Sequence, residues 1–252
     1  MLAVIDADNL AIAAAASAEN DDVGIACLRA DDMVNKTMED TKSDKYELWL
    51  TGKGNFRYNV YPEYKANRRG LKRPKWEHQV KAHLEVMWAA NRTTGCETDD
   101  MIGVRLCEEP DSIACHLDKD IDMIPGKHYG WELRRLGTII KPAKIYYVNE
   151  DQAYTQFYWQ LLVGDTTDNI KGVVGIGKKK AADILGPCTS EKEMYEVVKE
   201  TYDCDEEFHM NAQVLWIWRK RNDNILERFE KLNQHLQKLR EPVSNDTLEI
   251  PF

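Results

Sequence analysis

Leu2-Ala3-Val4-Ile5-Asp6-Ala7-Asp8-Asn9-Leu10 is the stretch on which the fold turns. Four apolar residues run straight into two acids, and the chain then continues through the alanine-rich Leu10 to Ala18. The first part reads as a short buried strand and the second as a helix, alanine being the best helix former. Asp6 and Asp8 are therefore expected in a strand-to-helix turn, the place where open α/β sheets hold their ligands.

The same pairing of strand and helix recurs downstream. Tyr46 to Leu50 reads as a second strand, followed by a turn at Gly52-Lys53-Gly54. Val80 to Ala90 has helical periodicity, with Val80, Leu84, Met87 and Trp88 on one side. Thr98 is expected to cap a helix through Met101 to Leu106, which puts Asp99 and Asp100 in its first turn. Ser112 to Leu117 is strand-like with Asp118 at its carboxyl end, and Lys144 to Val148 is another strand. Strands alternating with helices predict an α/β fold, a mostly parallel central sheet flanked by helices on both faces.

Beyond Gln152 the pattern predicts helices only, over Gln156 to Val163, Lys178 to Leu185, Lys192 to Tyr202 and Gln213 to Leu239. The expected organisation is thus a core over residues 1–155 and a helical part over 156–252. Tyr64 to Pro74 is basic with little apolar content and is expected to be mobile or ordered by substrate. Trp216 and Trp218 flank Ile217 at a spacing that cannot face one side of a helix, so one is expected in the core and the other partly exposed. His78 and His83 read as surface or packing residues.

A chain of 252 residues with 43% hydrophobic and 31% charged residues can bury a proper interior and has a globular profile. No apolar run reaches the roughly 18 residues of a membrane helix. The apolar start follows two acids and lacks a basic leader, so a cytoplasmic location is expected. The six cysteines form no Cys-x-x-Cys pair and read as reduced thiols, with no zinc site among them.

The formal net charge of −9 argues at first against a polyanionic partner. Nine acids, however, fall in four clusters: Asp6 and Asp8; Glu97, Asp99 and Asp100; Asp118 and Asp120; Asp165 and Asp168. If bound cations neutralise them, the remainder is uncharged. The bases are also bunched, with seven Lys or Arg against one Glu from Tyr64 to Lys81 and four Lys with no acid from Lys171 to Lys180. Carboxylates brought together repel by about 4 kcal/mol per pair at 4 Å and an effective dielectric of 20, so a fold that collects them needs divalent cations. Each cluster alone has an ordinary explanation: helix-dipole acids at Asp99 and Asp100, a polar loop at Asp118 and Asp120, a cap at Asp165 and Asp168. Their conjunction with two basic segments is compatible with a nuclease.

Five segments carry a resemblance: Ile5 to Asn9, Tyr64-Lys65-Ala66-Asn67-Arg68, Glu97 to Asp100, Asp118 to Asp120, and Leu162 to Gly177 with its Gly-Asp-x-x-Asp-Asn-Ile and Gly-Ile-Gly. In order and approximate spacing, residues 1–186 resemble the flap endonuclease and 5′-to-3′ exonuclease family, most of all its bacteriophage members, and also the 5′ nuclease domain of bacterial DNA polymerase I. The resemblance implies a PIN-like 5′ nuclease core with a basic arch near 60–80, and a helical DNA-binding part with a helix-hairpin-helix turn near 164–186. It implies two magnesium ions, replaceable by manganese. Asp6, Glu97, Asp99 and Asp118 would surround one and Asp120, Asp165 and Asp168 the other, with Asp100 behind them and Asp8 outer-shell or structural.

By the same resemblance Lys65 and Arg68 contact the scissile phosphate. Arg69, Lys72 and Arg73 of the arch and Gly175, Gly177, Lys178, Lys179 and Lys180 of the turn would contact DNA, and a potassium ion would sit at the turn. The substrate class implied is double-stranded or branched DNA with a 5′ end or flap, and RNA–DNA hybrids, in phage replication, primer removal or host DNA degradation. The compartment would then be the cytoplasm of an infected bacterial host. Leu248 to Phe252 resembles the Ile-Pro-Phe ending of bacterial single-strand-binding proteins, suggesting a replisome contact, with an ordinary docked tail as the plainer reading.

Gly52 departs from the pattern, standing where that family carries an acid. The gap would weaken one metal site, or Asp8 would substitute for it. A second reading is therefore a structure-selective DNA-binding module whose catalysis has decayed and which Gly52→Asp would restore. A third takes Asp6-Ala7-Asp8 as the Asp-x-Asp of a haloacid dehalogenase-like phosphatase with Asp6 as nucleophile.

Overall fold

A computed structural model describes residues 1–135 and 138–240. The chain opens with strand β1 (Leu2–Asp6) and helices α1 (Ala7–Ser17) and α2 (Val23–Thr41), then β2 (Lys45–Lys53) and a short α3 (Arg57–Val60). A 3-10 turn at Ala66–Arg68 leads to α4 (Glu77–Met87), β3 (Asn91–Thr94), α5 (Thr98–Glu108) and β4 (Ser112–His116). After a second 3-10 turn at Lys119–Met123 come β5 (Gly126–Gly130), β6 (Leu133–Arg135), β7 (Thr138–Lys141) and β8 (Lys144–Val148). Helix α6 (Glu150–Val163), the two-residue strands β9 (Gly164–Asp165) and β10 (Ile170–Lys171), and α7 (Lys178–Leu185), α8 (Glu191–Thr201), α9 (Asp205–Leu215) and α10 (Ile225–Arg240) complete it.

Six strands form one sheet in the order β3-β2-β1-β4-β5-β8, parallel throughout except for the antiparallel edge strand β8. Both faces are covered, as parallel sheets require. Within β1, Leu2 and Val4 point into the core shared with α5 and the C-terminal helices, while Ala3 and Ile5 point into the core beneath α1, α2 and α4. The first of these cores runs on to Phe229, so the C-terminal helices share one continuous core with that face of the sheet. The neighbours β1 and β4 lead their chains in opposite lateral directions, and the crevice between their carboxyl ends is the expected binding position in such a sheet.

Several expectations from the sequence change. Gly52 and Lys53 belong to β2, and no turn begins there. A side chain at Gly52 would place its Cβ 1.9 Å from the Thr93 carbonyl oxygen, and the Gly52 N–H donates to Thr93 Oγ1 at 3.0 Å. The close approach of β2 and β3 is what requires glycine. Glu97, not Thr98, occupies the cap position of α5, because the Thr98 hydroxyl is spent on Asp8 Oδ2 at 2.8 Å. The region beyond Gln152 includes the β9–β10 pairing besides its helices, and the single helix expected from Gln213 to Leu239 is two, α9 and α10, parted by residues 216–224. The chain leaves α9 in an extended conformation at Trp216, and Trp216 and Trp218 are both buried, at 3% and 9% exposure, rather than one in and one out. Among the described residues no helix is long and apolar enough to cross a membrane. The tail Leu248 to Phe252 and any replisome contact through it lie outside the described residues.

Candidate active site

At the crevice Asp6 ends β1 and caps α1, its Oδ1 accepting the Asn9 N–H at 2.9 Å. Asp118 follows β4 on the adjacent strand and caps the turn Lys119–Met123, accepting the Asp120 N–H at 2.9 Å. Glu97 and Asp99 arrive on the first turn of α5, and Asp165 and Asp168 on the loop between β9 and β10. These elements converge on a single cavity of about 550 Å³ whose walls include Asp6, Asp8, Glu97, Asp99, Asp118, Asp120, Asp165 and Asp168. Lys65, Arg68, Arg69, Arg73, Lys81 and Lys119 share the same walls. Four clusters separated by up to about 160 residues in sequence thus meet in one place.

The electrostatics of the cavity follow from that convergence. Burial, with Asp8 and Asp118 adding to it against the hydrogen bonds from Asn9, pushes the Asp6 carboxyl up to about 7. Burial and the charges of Asp6, Asp118 and Glu97 raise Asp99 well above the carboxylate range. Burial together with Asp118 and Asp165 raises Asp120 to about 7. Glu97 is held low against its burial by the cations of Lys65 and Arg57, and Asp165 against its own burial by the Thr167 N–H and by hydrogen bonding with Asp120. The cavity gathers eight carboxyl groups against six cationic side chains, and the crowding pushes three of those carboxyls, Asp6, Asp99 and Asp120, toward their protonated forms. All the acidic donors are hard carboxylate oxygens, the ligand set that magnesium and manganese accept. The residues present therefore fit divalent cations, by charge and by donor type.

Lys65 and Arg68 are the cations nearest the acids. Lys65 Nζ donates to Glu97 Oε1 at 2.6 Å and lies 3.7 Å from Asp168 Oδ2, while Arg68 pairs with Asp168 Oδ1 and donates from Nε to the Thr167 carbonyl at 3.0 Å. The Lys65 backbone N–H also donates to the Asp168 carbonyl at 2.9 Å, and Asn67 Nδ2 to the Thr166 carbonyl at 2.6 Å. The stretch expected to be mobile is thus docked at its start onto the Asp165–Asp168 loop. Farther along the same stretch Arg69 and Arg73 line the cavity, whereas Lys72 is turned to Glu19 at 3.0 Å.

Asp100 stands apart from the other acids. It is fully buried and is no part of the cavity wall. Its carboxylate takes a bidentate pair from Arg57 at 2.6 and 2.9 Å, and accepts the Glu97 N–H at 2.9 Å and the Trp218 N–H at 3.2 Å. Arg57 spends its other N–H groups on the carbonyls of Val214 and Trp216, both at 2.8 Å. Asp100 thus stands behind the cavity acids: every lone pair it offers is directed at protein donors, because the ion pair that locks the cap of α5 also ties in the C-terminal helices. Asp8 is likewise committed. Lys81 lies 2.7 Å from its Oδ1, and the Thr51 N–H and Thr98 hydroxyl donate to its Oδ2. It cross-links α1, β2, α4 and α5 from its place on the cavity wall.

Residues that sequence reasoning missed act one step behind the acids. The Tyr64 hydroxyl lies 3.0 Å from Glu97 Oε2 and 2.9 Å from Asp168 Oδ2, and Asn55 Nδ2 donates to Glu97 Oε1 at 2.9 Å. Tyr64 lay inside the quoted Tyr-Lys-Ala-Asn-Arg segment, but nothing in a lone aromatic foretells a hydroxyl aimed at two carboxylates 33 and 104 residues away. Lys81 was counted only as part of a charge run.

Beyond the cavity, Gly175 adopts φ +77° and Gly177 caps α7. A Cβ at either glycine would meet nothing within 4 Å, and Lys178, Lys179 and Lys180 are exposed, so the backbone N–H groups at this helix start face open space. Only glycine takes the left-handed turn at 175 without strain.

No family model matches the chain. Among curated proteins it is similar to a 5′-3′ exonuclease of Mycoplasmopsis pulmonis, 26% identical over 159 residues that make up 59% of this chain and 52% of that protein. It is also similar to DNA polymerase I of Caldicellulosiruptor bescii, 28% identical over 183 residues, 65% of this chain and 21% of that one. The chain spans about half, or less, of the length of these relatives. Among solved structures, zinc-bound bacteriophage T5 5′-exonuclease superposes with a TM-score of 0.63 at 18% identity, covering 85% of this chain and 88% of that one. A T5 flap endonuclease pseudo-enzyme–product complex with DNA and metal ions gives 0.57 at 17% identity, covering 94% and 99%. The resemblance read from the motifs is thus carried by sequence and by fold, and the α/β architecture with its mostly parallel sheet is that of the T5 exonuclease.

Proposed function

We propose that the protein is a metal-dependent 5′ nuclease that hydrolyses phosphodiester bonds of branched or double-stranded DNA. The observation that carries this reading is the convergence of eight acids on one cavity beside Lys65 and Arg68. Its relatives carry the names 5′-3′ exonuclease and DNA polymerase I, which supports the same class.

Asp6, Glu97, Asp99 and Asp118 would hold one divalent ion and Asp120, Asp165 and Asp168 a second, magnesium being the expected metal and manganese its substitute. Two such ions supply an activated water and charge stabilisation at phosphorus. The chain's own residues do the rest. Lys65 and Arg68, now paired with Glu97 and Asp168, exchange carboxylate for a phosphate oxygen when nucleic acid enters, so the cations serve as placeholders before they serve as phosphate contacts. Tyr64 and Asn55 hold the Glu97 carboxylate in place during that exchange, and the Arg57–Asp100 pair fixes the backbone that presents Glu97 and Asp99.

Arg69 and Arg73 on the cavity wall, with Lys72 in the same stretch, offer charge to the incoming strand. The start of α7 offers backbone N–H groups to the duplex, with Lys178, Lys179 and Lys180 around it and a potassium ion at the Gly175–Gly177 turn. Contacts of this kind read backbone, so selectivity is for DNA shape. A flap, a free 5′ end or an RNA–DNA hybrid is the substrate range this reading covers, in the cytoplasm of a bacterial host.

The decayed-module reading has one feature in its favour, the missing acid at Gly52. The phosphatase reading finds none at Asp8. Against the cost of its burial, Lys81 and the Thr51 hydrogen bonds hold Asp8 below the ordinary carboxylate range, where it has no proton to give a leaving group. A 5′-labelled flap substrate with magnesium distinguishes all three. Cleavage to a 5′-phosphate product that is lost in Asp118→Asn, with flap binding retained, supports the nuclease. Absence of cleavage with both magnesium and manganese sinks it.

A further inference from the structure

We infer that the protein carries a second kind of metal centre, distinct from the acidic cavity, in which His116, Asp122 and His128 bind one borderline divalent ion of the zinc type. His116 ends β4, His128 lies within β5 and Asp122 lies on the turn between them, with one donor atom from each residue falling within 4.8 Å of the others. Both rings are buried, while Asp122 is partly open to solvent.

The hydrogen bonds fix the tautomers. His116 Nδ1 lies 2.6 Å from the Asp118 carbonyl oxygen, and His128 Nε2 lies 2.9 Å from the Ile124 carbonyl oxygen. A carbonyl can only accept, so both of these nitrogens carry their hydrogens. What remains is His116 Nε2 facing His128 Nδ1 at 3.0 Å, two acceptors across hydrogen-bonding distance when both rings are neutral. Such a pair is stable only with a positive species shared between them.

The third donor favours a metal in that role. Asp122 converges on the same point, its Oδ1 accepting from the Tyr146 hydroxyl at 2.7 Å, and among the described residues no Lys or Arg pairs with it. The Tyr146 ring in turn stacks on His128 at 5.3 Å. Ligating histidines characteristically donate their second N–H to a carbonyl, which fixes the ring and strengthens the donor nitrogen. Here both rings do so. An ion about 2.0–2.1 Å from each nitrogen in tetrahedral geometry needs them about 3.3 Å apart, so the rings need part by only a few tenths of an ångström. Two imidazoles and one carboxylate suit zinc and are a poor set for magnesium. The partly open side at Asp122 admits the ion and a water as fourth ligand. Bound there, the ion would brace the Lys119–Met123 turn from behind, since His116 also holds the Asp118 carbonyl.

The test uses the full chain, stripped with EDTA and then titrated with Zn²⁺ in excess Mg²⁺, which occupies carboxylate sites and competes poorly for imidazole. One zinc per chain should survive gel filtration by elemental analysis, and zinc should raise the melting temperature. His128→Gln keeps a side-chain N–H for the Ile124 carbonyl and removes the ligand; zinc affinity should fall at least 100-fold. Asp6→Asn, which alters only the acidic cavity, should retain the zinc. X-ray absorption of the zinc-loaded wild-type protein should report two nitrogen ligands, a readout that stands even if His128→Gln fails to fold. Equal zinc affinity in wild type and His128→Gln, no zinc retained in excess Mg²⁺, or an all-oxygen shell would each overturn the inference.

Discussion

Replacing Asp6 by Asn should make the protein more stable in EDTA while abolishing the proposed metal-dependent cleavage. Asp6 is 1% exposed, and burial pushes its carboxyl up to about 7 from the ordinary 3.8. A carboxyl whose folded pKa is raised binds more protons folded than unfolded, so stability falls as pH rises from about 4 to about 7 and the loss is complete above that. Three pH units correspond to about 4 kcal/mol. Because Asp6 shares its field with Asp8 and Asp118, we expect about 2–4 kcal/mol to be recovered. Asparagine caps a helix as well as aspartate and can still accept the Asn9 N–H, so the substitution removes the charge and keeps the cap. In EDTA at about pH 8 the variant should melt about 5–10 °C above wild type by circular dichroism. At about pH 5 the difference should shrink to roughly 1 kcal/mol, and saturating magnesium should narrow it by stabilising wild type. Equal melting temperatures at pH 8, or a gain independent of pH, would refute the argument that crowded carboxylates strain the metal-free fold.

Gly52→Asp should not improve cleavage and should destabilise the fold by about 1–3 kcal/mol in urea unfolding, because a Cβ there strikes the Thr93 carbonyl at 1.9 Å; Gly52→Ala should cost about the same, showing that the backbone contact and not the charge is responsible. Asp100→Leu leaves the Arg57 guanidinium buried without its partner, and chemical unfolding should report a loss of about 3–5 kcal/mol, whereas Arg57→Met combined with Asp100→Leu should recover much of it. Lys65→Ala should lower kcat on a flap by about 100-fold or more with little change in melting temperature, since its ion pairs lie at the cavity wall and its work is at the phosphate.

The mostly parallel sheet was legible because β1, β2, β4 and β8 each announce themselves as apolar runs, and the acids at the ends of β1 and β4 mark the crevice by local rules alone. Helix α2 was missed: its buried stripe is Ala26, Ala30, Val34, Thr37 and Thr41, small or polar residues that make a weak hydrophobic signal. Strand β3 was missed for a similar reason, since it is four residues long and only Thr93 is buried. At the site, the sequence motifs located the acids, but not the division of labour among them. Asp99 and Asp100 are adjacent in the chain, yet one faces the cavity and the other faces Arg57, and only the packing of residues 214–218 decides which. The histidine pair was equally invisible, because its meaning lies in which carbonyls lie opposite the rings.

The dependence of the first helical turn of α5 on Val214, Trp216 and Trp218 has a consequence during synthesis. A ribosome has made every acid of the cavity by residue 168, yet Arg57 and Asp100 still lack two carbonyls and an N–H that are some 45 residues from being translated. The nascent chain then holds the full set of cavity acids on a mount still unfinished, and the first turn of α5 is locked only once residues 214–218 have been added.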